Sequence, residues 1–369
     1  MLEKGKISAL QMGMITYATI IASGALLPNI TAKAADRDMW LSPIWASLTG
    51  FLVLCIIYQL SRLYPKETLI QYSVHILGTI PGKAVGFFYL FYLLHINASL
   101  IRIYGDYLVG NFYSKTPTIV VLASMVLVSA FTVRGGVEVL GRFTQLFVPF
   151  LILMWLLIII LIIPDLEPKN MFPIMEHGIM PSIKGAPQSW FTHYALFAYI
   201  FPFLTDRKKG MKWGMISIFS AMLTLTIFNL TALFVFGEST ADRLYPLMDV
   251  SRYISIGNFF EHVEAIVMAI WVLGAFIKIS VYYYVLVLGT AQWLHLSDYR
   301  PVVFPLGFLL ILFSIWSASN LQELIAAYGR SLPFYYDTFH LVIPILLLLI
   351  AIIRKKKRKG KRDYTPINQ

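Results

Sequence analysis

Runs of about twenty apolar residues, parted by short polar segments, recur from one end of this chain to the other. A helix needs about 20 consecutive apolar residues to cross a bilayer, so each run predicts a membrane span. The pattern places ten, at 8–33, 40–61, 82–113, 117–133, 143–163, 187–205, 213–236, 259–294, 302–318 and 332–353. The third and eighth exceed a perpendicular crossing and are expected to tilt or to project beyond the lipid. No polar stretch is long enough for a separate soluble domain, so 1–369 reads as one all-α membrane domain. Met1 to Lys6 lacks the apolar stretch and cleavage site of a signal peptide, and the first span is expected to stay in place.

Two of these runs are interrupted near the middle. The first passes through Ser23-Gly24-Ala25-Leu26-Leu27 to Pro28, and the sixth through Phe201-Pro202-Phe203. Glycine frees the backbone and proline removes a helix donor. Unwinding is therefore predicted at about Ser23–Leu27 and about Ala198–Phe201, the two stretches facing one another across a cavity. Exposed backbone groups at membrane depth are tolerated only where they line a cavity or are buried in protein. The alternative is a pair of proline kinks packed by neighbouring helices, since Gly and Pro are common in membrane helices. Ten spans divide as five plus five, with repeat one at about 8–163 and repeat two at about 187–353. Five is odd, so the second repeat enters from the opposite side and span one corresponds to span six. Those are the two interrupted spans, which favours a binding site between repeats.

Composition agrees with a membrane chain. It is 58% hydrophobic with mean hydropathy +0.71 and 13% charged residues, against about 25% charged in a soluble domain. The net charge of +11 comes largely from the basic tail 354–369, which begins Arg354-Lys355-Lys356-Lys357-Arg358. Such a cluster after the last span is expected to rest on anionic inner-leaflet lipid, at about 1 kcal/mol per basic residue. Most other Lys and Arg fall on the same side, which predicts both termini in the cytoplasm. No folded domain accompanies the charge, so nucleic acid is not an expected partner. Cys55, the sole cysteine, lies in an apolar run and excludes an internal disulfide.

Charges inside spans cost about 2.5–3.5 kcal/mol each on insertion scales, so they carry information. Arg102 and Asp106 share a helix face on span three. Glu261 and Glu264 stand near the outer end of span eight, and Lys278 lies about 21 Å deeper along that helix. The first four read as an ion-pair network tying span three to span eight. Lys278 has three readings: a snorkelling surface charge, a structural pair, or a charge biasing an ion or proton path near span one or five. Tyr92, Tyr194, Phe197, Tyr199, Tyr282 and Tyr284 fall near the predicted cavity, as packing or as ligand contacts. The seven histidines are scattered without metal-ligand spacing, and no Walker A pattern occurs. Neither catalysis nor a cofactor is expected.

Three stretches together resemble a known family. Span eight reads Phe260-Glu261-His262-Val263-Glu264, then Trp271 and Lys278-Ile279-Ser280-Val281-Tyr282-Tyr283-Tyr284. The segment after span six reads Pro202-Phe203-Leu204-Thr205-Asp206-Arg207-Lys208-Lys209. Span three closes on Arg102 to Asp106, followed by Thr116-Pro117. In order and spacing, over nearly the whole chain, these are similar to the B subunits of spore nutrient-germinant receptors, the spore permease family of the amino acid–polyamine–organocation superfamily. The resemblance implies a LeuT-like five-plus-five inverted repeat. It implies a subunit that senses a small germinant, often an amino acid, beside receptor A and C subunits in the spore inner membrane. It implies ligand positions at Ala22, Ser23, Gly24 and Ala25, at Tyr92 and Ile96, from Tyr194 to Phe197, and at Tyr282. Two departures stand out. The family's Gly-x-Gly on the first helix is Ala22-Ser23-Gly24 here, and its Gly-x-Glu on the sixth is Ala195-Leu196-Phe197. Span six thus offers no carboxylate to an ammonium group, which leaves a different amino acid, a sugar or nucleoside, or a subunit with a vestigial pocket. A secondary amino acid transporter is the remaining reading.

Overall fold

Local chemistry sets the first helix. In the computed structural model, which describes residues 2–254, 263–318 and 320–363, Ser8 is its N-cap. Ser8 Oγ accepts from the Gln11 amide at 3.1 Å, and Gln11 Oε1 accepts from the Ser8 amide at 2.9 Å. This reciprocal pair satisfies two donors that a helix start leaves free. Helix α1 spans Ala9–Ile21, gives way to a 3-10 turn at Ala22–Ala25, and is followed by α2 at Leu27–Ala35. Pro28 sits in the first turn of α2, where its missing N–H costs nothing. Then come α3 (Ser42–Leu63), α4 (Leu69–Leu77), α5 (Thr79–Asn111), α6 (Thr118–Ile162) and the short α7 (Met180–Lys184). Helix α8 is a single turn, Phe197–Ile200, between 3-10 segments at Phe191–Leu196 and Phe201–Phe203. The remainder is α9 (Arg207–Phe236), α10 (Pro246–Tyr253), α11 (Glu264–Trp293), α12 (Val303–Trp316), α13 (Leu321–Arg330), α14 (Leu332–Asp337) and α15 (Ile343–Asp363). A π-helical stretch, Thr338–Val342, joins the last two.

Among the described residues, six helical runs are long and apolar enough to cross a membrane. A seventh is added if the bent pair Arg300–Trp316 and Leu321–Arg330 counts as one span. The hydropathy pattern predicts ten, more than the continuous runs among the described residues. The fourth and fifth expected spans form a single run, α6, whose halves meet at Gly136 with φ +82°, a conformation that glycine adopts without penalty. The first and sixth are assembled from short pieces.

Helix α11 is the axis of the packing. It contacts α1, α5 and α6, and every residue from Ile277 to Gly289 is buried. An apolar helix buried on all sides belongs to the middle of a bundle. Helix α6, by contrast, exposes Leu127, Phe131, Leu146, Leu153 and Ile160, as a helix facing hydrocarbon should.

Candidate functional site

The turn at Ala22–Ala25 removes α-helical partners from the end of α1. One freed carbonyl, Ala22 O, accepts a hydrogen bond from the Tyr104 hydroxyl on α5. Beside it lies a small cavity of about 30 Å³, lined by Ala22, Leu26, Tyr104, Trp190, Tyr245, Trp271 and Tyr328 among others. That is room for a water or two, well below a ligand-sized pocket, although the aromatic lining is of the kind that holds small molecules. Gly274 of α11 packs on Ala22, since a Cβ placed there would stand 3.5 Å from the Ala22 Cβ.

One turn beyond Gly274 on the same helix is Lys278, with 1% of its surface exposed. It is midway along α11, and its burial rules out snorkelling. Tyr282, one turn along α11 from Lys278, packs against His193 of the 3-10 segment before α8, and His193 lies beside His340 of the π-helical stretch. The two imidazoles are 5.0 Å apart between centroids. Tyr282 and Tyr336 pack edge-on against His193 at 5.8 and 5.5 Å. The Tyr92 hydroxyl and His340 Nε2 share a hydrogen bond of 2.9 Å. Both ring nitrogens of His193, Nδ1 of His340 and the Tyr282 hydroxyl are buried without a hydrogen-bond partner. Each such group costs about 1–3 kcal/mol and calls for an explanation. Ionisable residues inside a membrane mark functional sites more often than structural ones.

The residues expected to hold a ligand divide between two places. Tyr92 and Tyr282 join this cluster, Ala22 borders the cavity, and Ile96 is fully buried one turn beyond Tyr92. Gly24 points elsewhere: a Cβ there would meet the Phe228 ring of α9 at 2.6 Å. Tyr194 and Phe197 also turn away. The Tyr194 hydroxyl bonds Ser217 Oγ of α9 at 3.0 Å, its ring stacks on Phe197 at 5.7 Å, and Phe197 packs against Gly214 of α9. The side chains of Ser23 and Ala25 and the whole of Glu261 lie outside the described residues. The expected unwinding at Ala198–Phe201 is shifted. Residues Phe197–Ile200 form α8, and the 3-10 backbone lies on either side, with Pro202 in the first turn of the segment that follows. Arg102 pairs with Asp106 of its own helix at 2.7 Å, and Glu264 opens α11. Lys278 lies one turn from Tyr282, on the stretch of α11 that packs against the two histidines. His193 and His340 were open to sequence reasoning as intramembrane ionisable residues, but the search for metal spacing passes over them.

A second buried charge closes the opposite end of α11. Glu3 is 7% exposed, and its carboxylate accepts from the amides of Gly5 at 2.6 Å and Val137 at 3.2 Å. It also accepts from the hydroxyls of Tyr284 at 3.1 Å and Tyr299 at 3.2 Å. Burial, and after it the Glu3 carboxylate, push the Tyr299 phenol up to about 12. Ile7 extends the clasp, donating to Phe203 O at 3.1 Å and accepting from the Thr205 amide at 3.0 Å. Tyr284 is thus committed to the N-terminal segment, not to the cavity.

A family model described as "Spore germination protein" matches residues 6–322. The chain is 28% identical to Spore germination protein KB of Bacillus subtilis (strain 168) over 98% of both sequences. It is 24% identical to Spore germination protein YndE of the same organism, covering 96% of this chain and 98% of that one. With Spore germination protein XB of Bacillus anthracis the identity is 23%, over 93% and 96%. The fold is similar to that of a manganese transporter of Eremococcus coleocola, crystallised with an aromatic bis-isothiourea substituted compound. The TM-score is 0.61 at 15% identity, over 94% of this chain and 82% of that one. At such identity the likeness shows the fold alone. Among the described residues, no group of three or more His, Cys, Asp or Glu is placed to hold a metal ion.

Proposed function

The chain belongs to the spore germination permease family, and from that we propose that it is the germinant-sensing membrane subunit of a spore nutrient receptor. It binds a small nutrient of the amino acid class in the mid-membrane region and passes the change to receptor A and C subunits. Ten spans in a five-plus-five inverted repeat, with spans one and six broken, complete the reading. So do a spore inner-membrane location with both termini on the core side and a basic tail resting on anionic lipid. The observation that carries the proposal is the aromatic cavity beside the Ala22–Ala25 turn, one helical turn from the Lys278–His193–His340 cluster. Half-helix ends at such a turn present N–H and C=O groups to a ligand.

Thermal unfolding of the purified full chain with and without an amino acid panel tests the reading. A ligand at one hundred times its Kd stabilises the folded state by about 2.7 kcal/mol. A saturable shift with one or a few members is expected, and no shift with any nutrient tried would favour the vestigial pocket. The second reading, a secondary transporter, is favoured by the transporter fold. Uptake of labelled amino acid into proteoliposomes separates the two, the sensor being expected to bind without net uptake.

A further inference from the structure

We infer that Lys278, His193 and His340 form an anion-recognition site for the carboxylate of the bound small molecule. The inference rests on the mid-membrane region being a ligand site, and it assigns the charged end of that ligand.

Three observations converge. First, the site is built from four separate elements. Lys278 and Tyr282 come from α11, His193 from the 3-10 segment, His340 and Tyr336 from the last span, and Tyr92 from α5. Two of the contributing stretches depart from α-helix, and π-helical turns inside spans cluster at functional sites. Second, His193 is 3% exposed and neither ring nitrogen has a hydrogen-bond partner. His340 uses Nε2 toward Tyr92 and leaves Nδ1 without one. Buried polar groups in native proteins are paired as a rule, and orphaned ones point to a bound group. Third, the chemistry has one sign. An ammonium, two imidazoles and the Tyr282 phenol can all donate, and hydrogen bonds from charged donors to carboxylates are the strong ones.

The cavity beside Ala22, about 30 Å³, lies next to this cluster and takes the rest of the molecule only when the aromatic rings around it part. Gly274 packs on Ala22 at the cavity edge, and Lys278 follows one turn later on α11. Tyr328 lines the cavity and lies 6.1 Å from Tyr336, whose other edge meets His193. With the rings parted, a small acid would lie with its body among them and its carboxylate toward Lys278.

The test compares acids with their amides. Purified full-length chain in detergent is titrated with L-alanine, propionate and L-alaninamide, with thermal unfolding and the fluorescence of Trp190 and Trp271 as readouts. The panel extends to glycine, acetate, L-asparagine and glucose. Carboxylates should bind at least tenfold more tightly than matched amides, and Lys278→Met should weaken them at least tenfold while leaving neutral probes unaffected. His193→Gln provides the second variant should Lys278→Met fail to accumulate, with a loss of threefold or more expected for carboxylates alone. Equal affinity for acid and amide, or carboxylate binding unchanged in a folded variant, overturns the anion site and leaves the small-molecule site standing. Tight binding of glucose with no response to any carboxylate does the same. No response to any probe overturns both.

Discussion

Gly136 illustrates how much one backbone position carries. At φ +82° a side chain is strained by about 1–2 kcal/mol, and a Cβ would also stand 2.6 Å from Glu3 Oε2. Gly136→Ala is therefore expected to lower stability by about 2 kcal/mol or more and to expose the N-terminal segment to protease, which limited digestion of the membrane form would reveal. Tyr299, which donates to the same carboxylate, makes this clasp sensitive to alkali. Its folded-state pKa of about 12 lies above the ordinary 10.0. Below 10 the phenol is protonated in both states and adds no pH dependence. Between 10 and 12 the unfolded chain loses the proton first, so stability falls as pH rises. Tyr299→Phe should flatten that alkaline limb in melts taken from pH 8 to 12, and an unchanged slope would remove Tyr299 from the account. Gly24 teaches the converse lesson. Its smallness suggests room for a ligand, yet the space is filled by Phe228. Gly24→Val should cost about 1–3 kcal/mol through overpacking, and Phe228→Ala should relieve it.

Individual helices were legible to different depths. The long apolar runs of α5, α9 and α11 follow from hydropathy, because crossing a bilayer sets length and composition together. After Ile21 the α-helix gives way to a 3-10 turn, near the positions that Gly24 and Pro28 mark. The irregular stretch before α8 was misplaced by several residues. It begins at Trp190, which takes a left-handed conformation with φ +52°, and no glycine or proline marks that position. Lys278 could be placed by depth, since helix rise is fixed, but its partners could not. His193 and His340 are brought together only by the packing of the 3-10 segment against the last span. Arg102 and Asp106, four residues apart on α5, bond each other, while Glu261 of the expected network lies outside the described residues. Their side chains are 17% and 13% exposed, so removing one partner leaves a largely buried charge. Arg102→Ala should destabilise the protein by about 3 kcal/mol. A double variant, Arg102→Met with Asp106→Leu, should recover more than half of that loss if the pair is self-contained.

The molecule as a whole is organised about α11. One end holds the clasp of Glu3, Tyr284 and Tyr299, the middle carries Lys278 among the histidines, and Trp271 lines the cavity toward the other end. A displacement at the middle of such a helix is carried to both of its ends. Family membership and helical fold were readable from the sequence because composition and motif order extend over nearly its full length. The site was only half readable, since its charged members lie far apart in the chain. The most direct measurement is equilibrium binding of labelled L-alanine and of the wider nutrient panel to the purified chain, compared with Leu26→Trp. Leu26 lines the cavity and is 4% exposed, so the indole would occupy the space assigned to the ligand. Saturable binding to the unaltered chain, reduced at least tenfold in a folded Leu26→Trp protein, is the expected result. Binding of equal strength in both would place the ligand elsewhere and contradict the account.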